Sequence, residues 1–150
     1  MNPASGIPLL QIKLMPPVVR KNIVQRSALL DKIERGIDQG FILVSAPPGY
    51  GKTILVADWA RQTGTPFAWL TLDTHDNDLL TFNRYLKAML DKIAILPEHL
   101  EDDLPPEVNA VEVLRLLLTS LINQLAKSET DVSLIFDEFQ VINNPQLFEA

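Results

Sequence analysis

The sequence of 150 residues contains no cysteine, only two histidines and fewer basic than acidic side chains. The absence of cysteine excludes disulfides, thiolate metal ligands and thiol nucleophiles. With 13 Lys and Arg against 19 Asp and Glu, the formal net charge is −6, and a general nucleic-acid-binding surface is not expected because such surfaces need clustered basic residues. The first 19 residues lack a long apolar run, so they predict neither a signal peptide nor a membrane anchor, and we expect a cytoplasmic location.

The composition is that of a folded protein, since 47% of the residues are hydrophobic and 21% are charged. Residues 1–22 hold four prolines and show no sustained period, which predicts an extended N-terminal lead-in. Residues 23–150 are predicted to form one domain, because a chain of this length supports at most one.

Apolar periodicity and turn residues predict alternating helices and strands within that domain. Ser27 is a candidate N-cap for the first helix, and Gly40 is a candidate left-handed residue at its end. The run at 41–46 is continuously apolar, which predicts a strand buried on both faces of a parallel sheet. The helices are predicted at residues 27–40, 53–62, 79–93 and 110–127, and the strands at 41–46, 67–72 and 132–136.

The clearest motif follows the first predicted strand and opens a helix. Residues 46–53 read A-P-P-G-Y-G-K-T and match the pattern G-x-x-x-x-G-K-[ST] except at the first position, where alanine replaces glycine. Gly49 and Gly51 would let the backbone approach a phosphate, Lys52 would place its charge on the β- and γ-phosphates, and Thr53 would offer a hydroxyl to Mg²⁺. The motif predicts binding of a purine nucleoside triphosphate together with Mg²⁺. The alternative is a glycine-rich structural turn.

A second candidate constellation ends the last predicted strand, where Asp137 and Glu138 follow an apolar run. An aspartate at the carboxyl end of a parallel strand can reach a magnesium ion. The next glutamate is placed to orient or deprotonate an attacking water, as a general base. Alone, such an acidic pair is more often a helix cap or a turn, but the upstream loop favours the catalytic interpretation.

Several separated segments resemble the N-terminal part of the MalT-like, LuxR-family ATP-dependent transcriptional regulators, which are STAND P-loop ATPases. Residues 43–53, L-V-S-A-P-P-G-Y-G-K-T, are similar to the family's V-S-A-P-A-G-Y-G-K-T, including the alanine. Residues 68–73 with Asp76, Asn77 and Asp78 are similar to its W-x-x-L-D-x-x-D-N-D segment. Residues 135–139, I-F-D-E-F, are similar to its Walker B segment, which often has a second aspartate in place of the glutamate.

This resemblance implies the fold class: an α/β P-loop NTPase, a three-layer α/β/α sandwich with a parallel sheet, here truncated after the Walker B strand. A missing neighbouring strand would leave a gap or an exposed edge, and we expect a tendency to aggregate. The resemblance also implies ATP and Mg²⁺ as cofactors, a DNA-binding domain further along the full-length relatives rather than direct DNA contact here, and self-association in that context. Hydrolysis is expected to be slow or absent in this part alone.

The candidate site residues come from the two motifs and from the family resemblance. The resemblance adds an arginine upstream of the loop, which helps to enclose the nucleotide. The catalytic candidate is Glu138, and the metal ligands are Thr53 and Asp137. Two rival functions remain: a P-loop phosphotransferase or ATPase enzyme, for which no additional Lys or Arg cluster is evident, and a non-functional remnant. The predicted nucleotide-binding residues are Arg26, Ala46, Pro47, Pro48, Gly49, Tyr50, Gly51, Lys52, Thr53 and Ile54.

Overall fold

A computed structural model describes residues 8–20, 22–94 and 108–149. The chain divides into two compact units, one formed by Met1–Met15 with Pro66–Ala150 and the other by Pro16–Thr65. We call them the larger and the smaller unit. Within the described residues, every helix is too short or too polar to span a bilayer.

The larger unit is built on two parallel strands, β1 (Phe67–Thr71) and β2 (Ser133–Asp137). Their register pairs Trp69 with Ile135 and Thr71 with Asp137, so both strands end at the same edge of the sheet. Two helices lie between them in the chain, α3 (Leu79–Asp91) and α4 (Ala110–Lys127). These elements confirm the predicted strands at 67–72 and 132–136 and the predicted helices at 79–93 and 110–127.

The core of the larger unit lies where α3 packs against α4 and β1. The apolar stripe of α3 supplies much of it, as its period predicts. Leu70, Met89 and Leu90 have no exposed surface, and Leu86 and Leu114 are 2% exposed. Burial of several large aliphatic side chains at about 1.5–3 kcal/mol each provides the main stabilisation of this unit.

The N-terminal segment also contributes to this core. Gln11–Leu14 form one turn of 3-10 helix, in which Lys13 and Leu14 are buried. The backbone N–H of Leu10 donates to the hydroxyl of Tyr85 on α3 at 3.1 Å. Although the prolines predict an extended lead-in over residues 1–22, these four residues are helical because Leu14 packs into the apolar core.

The connection from β1 to α3 is a polar turn with two capping aspartates. Asp73 caps a 3-10 helix, Thr74–Asn77, in a reciprocal capping box with Asp76. Asp78 then caps α3 by accepting hydrogen bonds from the backbone N–H and the hydroxyl of Thr81, which lower the pKa of its carboxyl group. Each turn of the connection is therefore fixed by a carboxylate at its start.

The smaller unit contains α1 (Ser27–Ile37) and α2 (Lys52–Gln62), which pack together. The indole N–H of Trp59 on α2 donates to the carboxylate of Glu34 on α1 at 2.7 Å. Ser27 is the first helical residue and Arg26 occupies the N-cap position, so the prediction of Ser27 as a side-chain cap is wrong. Gly40 has φ +76°, which confirms its predicted left-handed conformation.

The predicted strand at 41–46 is not formed. In the described part of the chain the sheet consists of β1 and β2, and residues 41–46 have no regular secondary structure. Phe41 is 78% exposed and Leu43 is 76% exposed, so the prediction that this run is buried on both faces is also wrong. A continuous apolar run becomes a buried strand only where neighbouring strands pair with it, and no strand among the described residues does so.

Candidate nucleotide-binding site

The loop predicted to hold phosphates makes a tight turn in the smaller unit. Gly49 and Gly51 have φ of +85° and +74°, a region that glycine enters without steric cost. The N–H of Tyr50 donates to the carbonyl of Pro47 at 3.4 Å. A side chain added at Gly49 would meet nothing within 4 Å, so the backbone there borders open space that a ligand can enter.

The side chain of Lys52 folds back over this loop. Its Nζ donates to the carbonyl oxygen of Ala46 at 2.8 Å and to that of Pro47 at 3.3 Å. The side chain therefore reaches from the end of the loop back to its beginning, where two consecutive carbonyls hold the ammonium group. Because an ammonium has three donors, one donor is left for an anion while the two carbonyls keep the other two.

The N-terminal end of α2 provides the second positive element of the loop. Gly51 is its N-cap residue, which brings no side-chain cap, and the first turn carries no acidic side chain. The partial positive charge of the helix end is thus not compensated by a local carboxylate. Thr53 and Ile54 lie in this first turn and are half-buried. The open glycine loop, the ammonium and the uncapped helix end together fit a phosphate group.

Arg26 lies beside the loop, as the resemblance implies. Its Nη1 donates to the carbonyl oxygen of Tyr50 at 2.7 Å, and its Nη2 lies 3.5 Å from the position that a Cβ on Gly51 would take. The guanidinium group therefore braces the two residues that precede α2. Its charge also adds to the positive potential at this helix end.

Asp137 and Glu138 stand at the carboxyl edge of the sheet in the larger unit. Asp137 is the last residue of β2, and its carbonyl accepts the N–H of Leu72 at 3.0 Å, which extends the pairing of the strands by one step. Glu138 leaves the strand with φ +59° and an exposed side chain, whose carboxylate accepts a hydrogen bond from Gln140. The sheet thus presents two consecutive carboxylates at its edge, as the sequence predicts.

Three polar residues around this edge were not predicted from the sequence. Lys13 reaches the β1–α3 connection from the N-terminal segment, Asn77 binds the backbone that follows β2, and Gln140 contacts Glu138. Asn77 was visible as part of the D-N-D run, but the run alone gave no reason to assign it a role. For Lys13 and Gln140 the sequence contains no comparable signal.

The chain belongs to the AAA ATPase domain family, which matches residues 18–149. Its fold class is accordingly that of a P-loop NTPase, and the parallel pair β1–β2 with its helices is the α/β part of that fold. This confirms the fold class predicted from the sequence.

Two groups of curated relatives share this region. The serine/threonine-protein kinase PknK of Mycobacterium tuberculosis is 30% identical over 136 residues, which are 88% of this chain and 12% of the kinase. The HTH-type transcriptional regulators MalT of Klebsiella pneumoniae and Yersinia pestis are each 30% identical over 142 residues, 95% of this chain and 16% of the regulator. The resemblance to a MalT-like ATPase module is therefore confirmed, and this chain spans less than a fifth of the length of these relatives.

Proposed function

We propose that this chain binds ATP with Mg²⁺ as the N-terminal part of a STAND-type ATPase module in a cytoplasmic transcription regulator, with hydrolysis slow or absent in this part. One observation carries the proposal. The ammonium of Lys52 is held over a loop with two left-handed glycines, at the uncapped start of α2. This is the arrangement of donors that a polyphosphate requires.

The roles of the loop residues follow from their positions. Gly49 and Gly51 keep the backbone N–H groups accessible, and Lys52 offers a phosphate oxygen the donor that the carbonyls of Ala46 and Pro47 leave free. Charge-assisted hydrogen bonds of this kind are roughly twice as strong as neutral ones. Pro48, Tyr50 and Ile54 complete the loop and the first turn of α2, and Arg26 braces it from outside.

Thr53 in the smaller unit and Asp137 in the larger unit are each proposed as a magnesium ligand, since hydroxyl and carboxylate oxygens are ligands this ion prefers. When bound, magnesium neutralises charge on the phosphates. Glu138 would accept a proton from, or orient, the attacking water. Its carboxylate is exposed, and it accepts a hydrogen bond from Gln140 that a water molecule could replace.

The regulatory context is supported by the MalT regulators and not by the loop itself. PknK is named as a kinase and MalT as an HTH-type regulator, so the region they share with this chain is common to proteins of different overall activity. A DNA-binding domain elsewhere in the full-length protein and self-association of that protein are parts of the proposal that extend beyond residues 1–150.

The test is a titration of a fluorescent ATP analogue with Mg²⁺ into the purified chain and into Lys52→Ala. Removing a charged hydrogen-bond donor should weaken binding about tenfold or more. Lys32→Ala is the matched control, because Lys32 is exposed on α1 of the same unit. Thermal melts should show that each variant is folded. Equal affinity in Lys52→Ala and the unsubstituted chain, or no binding by a folded chain, would refute the proposal.

A further inference from the structure

The side chain of Asn77 binds the chain segment that follows Asp137 and Glu138. Its Oδ1 accepts the backbone N–H groups of Asn143 at 2.7 Å and Asn144 at 3.0 Å. Its Nδ2 donates to the carbonyl oxygen of Val141 at 2.9 Å. The side chain of Asn144 returns a hydrogen bond to the backbone carbonyl of Asn77 at 2.7 Å. One amide thus binds three of the four residues 141–144, which lie more than 60 positions away in the sequence.

The same segment is joined directly to Glu138. Phe139–Val141 form one turn of 3-10 helix with Glu138 as its N-cap residue, and the N–H of Val141 donates to the carbonyl of Glu138 at 3.1 Å. Val141 is therefore bound by Glu138 through its N–H and by Asn77 through its carbonyl. Val141 is thus the one residue that links the side-chain amide of Asn77 by hydrogen bonds to the backbone of Glu138, the predicted general base.

Glu138 has a backbone conformation that needs such support. Its φ of +59° and ψ of +29° lie in the left-handed region, which residues with a side chain rarely adopt. A conformation of this kind persists only when the surrounding structure imposes it. The turn that begins at Glu138 and is fixed by Asn77 is that surrounding structure.

Asn77 is itself rigidly placed. It ends the 3-10 helix Thr74–Asn77, whose capping box includes Asp76. The carboxylate of Asp76 has no exposed surface, accepts the N–H of Asp73 at 2.7 Å and pairs with Lys13 at 2.5 Å. A series of hydrogen bonds therefore connects buried Asp76, through the turn that ends at Asn77, to the backbone at Glu138.

We propose that Asn77 is a positioning residue that fixes the backbone conformation of Glu138 and hence the direction of its side chain. The inference rests on the proposed function in taking Glu138 as the group that orients water. An asparagine is required because one short side chain must both accept from two N–H groups and donate to a carbonyl. Aspartate has the same shape but only accepts, so Asn77→Asp should keep the bonds to Asn143 and Asn144 and lose the bond to Val141, together with a longer one to the carbonyl of Thr74 at 3.2 Å.

The first experiment needs no nucleotide. In the purified chain, NMR chemical shifts of the Glu138 backbone should indicate a positive φ. In Asn77→Asp the shifts should no longer indicate a positive φ, while the melting temperature stays close to that of the unsubstituted chain. Asn123→Asp, an exposed change on α4 with the same alteration of charge, should leave the Glu138 shifts unchanged. Unchanged Glu138 shifts in Asn77→Asp would overturn the proposal. Asn77→Ala gives the stronger perturbation, and Asn77→Asp decides if the alanine variant does not fold.

The second experiment compares the rate of ATP turnover with the affinity for nucleotide, and it uses the full-length protein because hydrolysis is expected to be slow or absent in this part. Misplacement of a catalytic group by about 1 Å can cost up to a hundredfold in rate, so turnover in Asn77→Asp should fall at least tenfold. Affinity for the fluorescent ATP analogue should change less than twofold, because Lys52 and its loop are untouched. Altered Glu138 shifts with unaltered turnover would overturn the catalytic part of the inference. Failure of the unsubstituted chain to bind ATP would refute the proposed function, and the NMR experiment would still decide whether Asn77 positions Glu138.

Discussion

The ammonium nitrogen of Lys13 lies 2.5 Å from Oδ2 of Asp76, a carboxylate with no exposed surface. The same nitrogen is 3.1 Å from Oδ2 of Asp73 and 4.2 Å from the ring centroid of Tyr85. Lys13 is only 7% exposed. A residue of the N-terminal segment thereby compensates the buried charge at the β1–α3 connection, on the same turn that ends at Asn77.

Removing Lys13 should strongly destabilise the larger unit. Lys13→Met would leave Asp76 as a buried carboxylate without its cation, which typically costs about 3–5 kcal/mol. Urea denaturation followed by circular dichroism should show this loss in the free energy of unfolding, and Lys13→Met combined with Asp76→Asn should recover part of it. Lys127→Met is the control, because Lys127 is exposed at the end of α4. A loss below about 1 kcal/mol in Lys13→Met would show that the pair contributes no more than a surface ion pair.

The same pair predicts how stability depends on alkaline pH. Burial alone would lower the pKa of Lys13, but hydrogen bonds and charge from Asp76 and Asp73 outweigh it and raise the pKa above its ordinary value of 10.5. A group whose pKa is raised by folding contributes stability below its unfolded pKa and loses that contribution as the pH rises through its folded pKa.

The difference in unfolding free energy between the unsubstituted chain and Lys13→Met should therefore be constant near neutral pH and should shrink only above pH 10.5. Denaturation series at several pH values measure this difference, in which the titration of other lysines and tyrosines largely cancels. A difference that already disappears between pH 7 and 9 would contradict the assigned direction of the pKa shift.

Alanine variants at two glycines of the smaller unit distinguish the effect of backbone strain from the effect on ligand binding. Gly40 and Gly51 have φ of +76° and +74°. Alanine at either position should cost about 1–2 kcal/mol of stability, since a left-handed conformation is unfavourable for a residue with Cβ. Only Gly51→Ala should also weaken binding of the fluorescent ATP analogue, because Gly51 begins α2 beside Lys52. Equal loss of affinity in Gly40→Ala would mean that instability, not the loop, controls binding.

The helices were predictable from the sequence because their determinants are local. α4 has the predicted bounds, and the side chain of Asn109 caps it by accepting from the N–H groups of Val111 and Glu112. The turn at residues 46–53 was also predictable, since the glycines at fixed spacing indicate left-handed backbone, and Gly49 and Gly51 have positive φ. The close approach of Arg26 to this loop followed from the family resemblance.

Features that depend on distant partners were not predictable. The apolar run at 41–46 has the composition of a buried strand, but burial requires neighbouring strands, which the run itself does not specify. Lys13 resembles an ordinary solvated lysine in a proline-rich segment, because its partners lie about 60 residues away. The role of Asn77 likewise becomes visible only when Val141 and Asn144 are brought to it by the fold.

The exposed segment at 41–43 predicts self-association of the chain. Phe41 and Leu43 are more than three-quarters exposed, and Ile42 between them is 38% exposed. An apolar, unpaired segment of strand-like composition is prone to pair with another chain. Phe41→Lys with Leu43→Lys should therefore reduce concentration-dependent association, with little change in melting temperature because exposed side chains contribute little to stability.

Sedimentation velocity over a range of concentrations measures this association. Ile122→Lys is the matched control, because Ile122 is 65% exposed but stands on the helical surface of α4. If the segment at 41–43 drives association, the double variant should be monomeric at concentrations where Ile122→Lys still associates. Equal improvement in both variants would attribute the effect to added positive charge on an acidic protein, and a chain that is monomeric without substitution would remove the basis for the prediction.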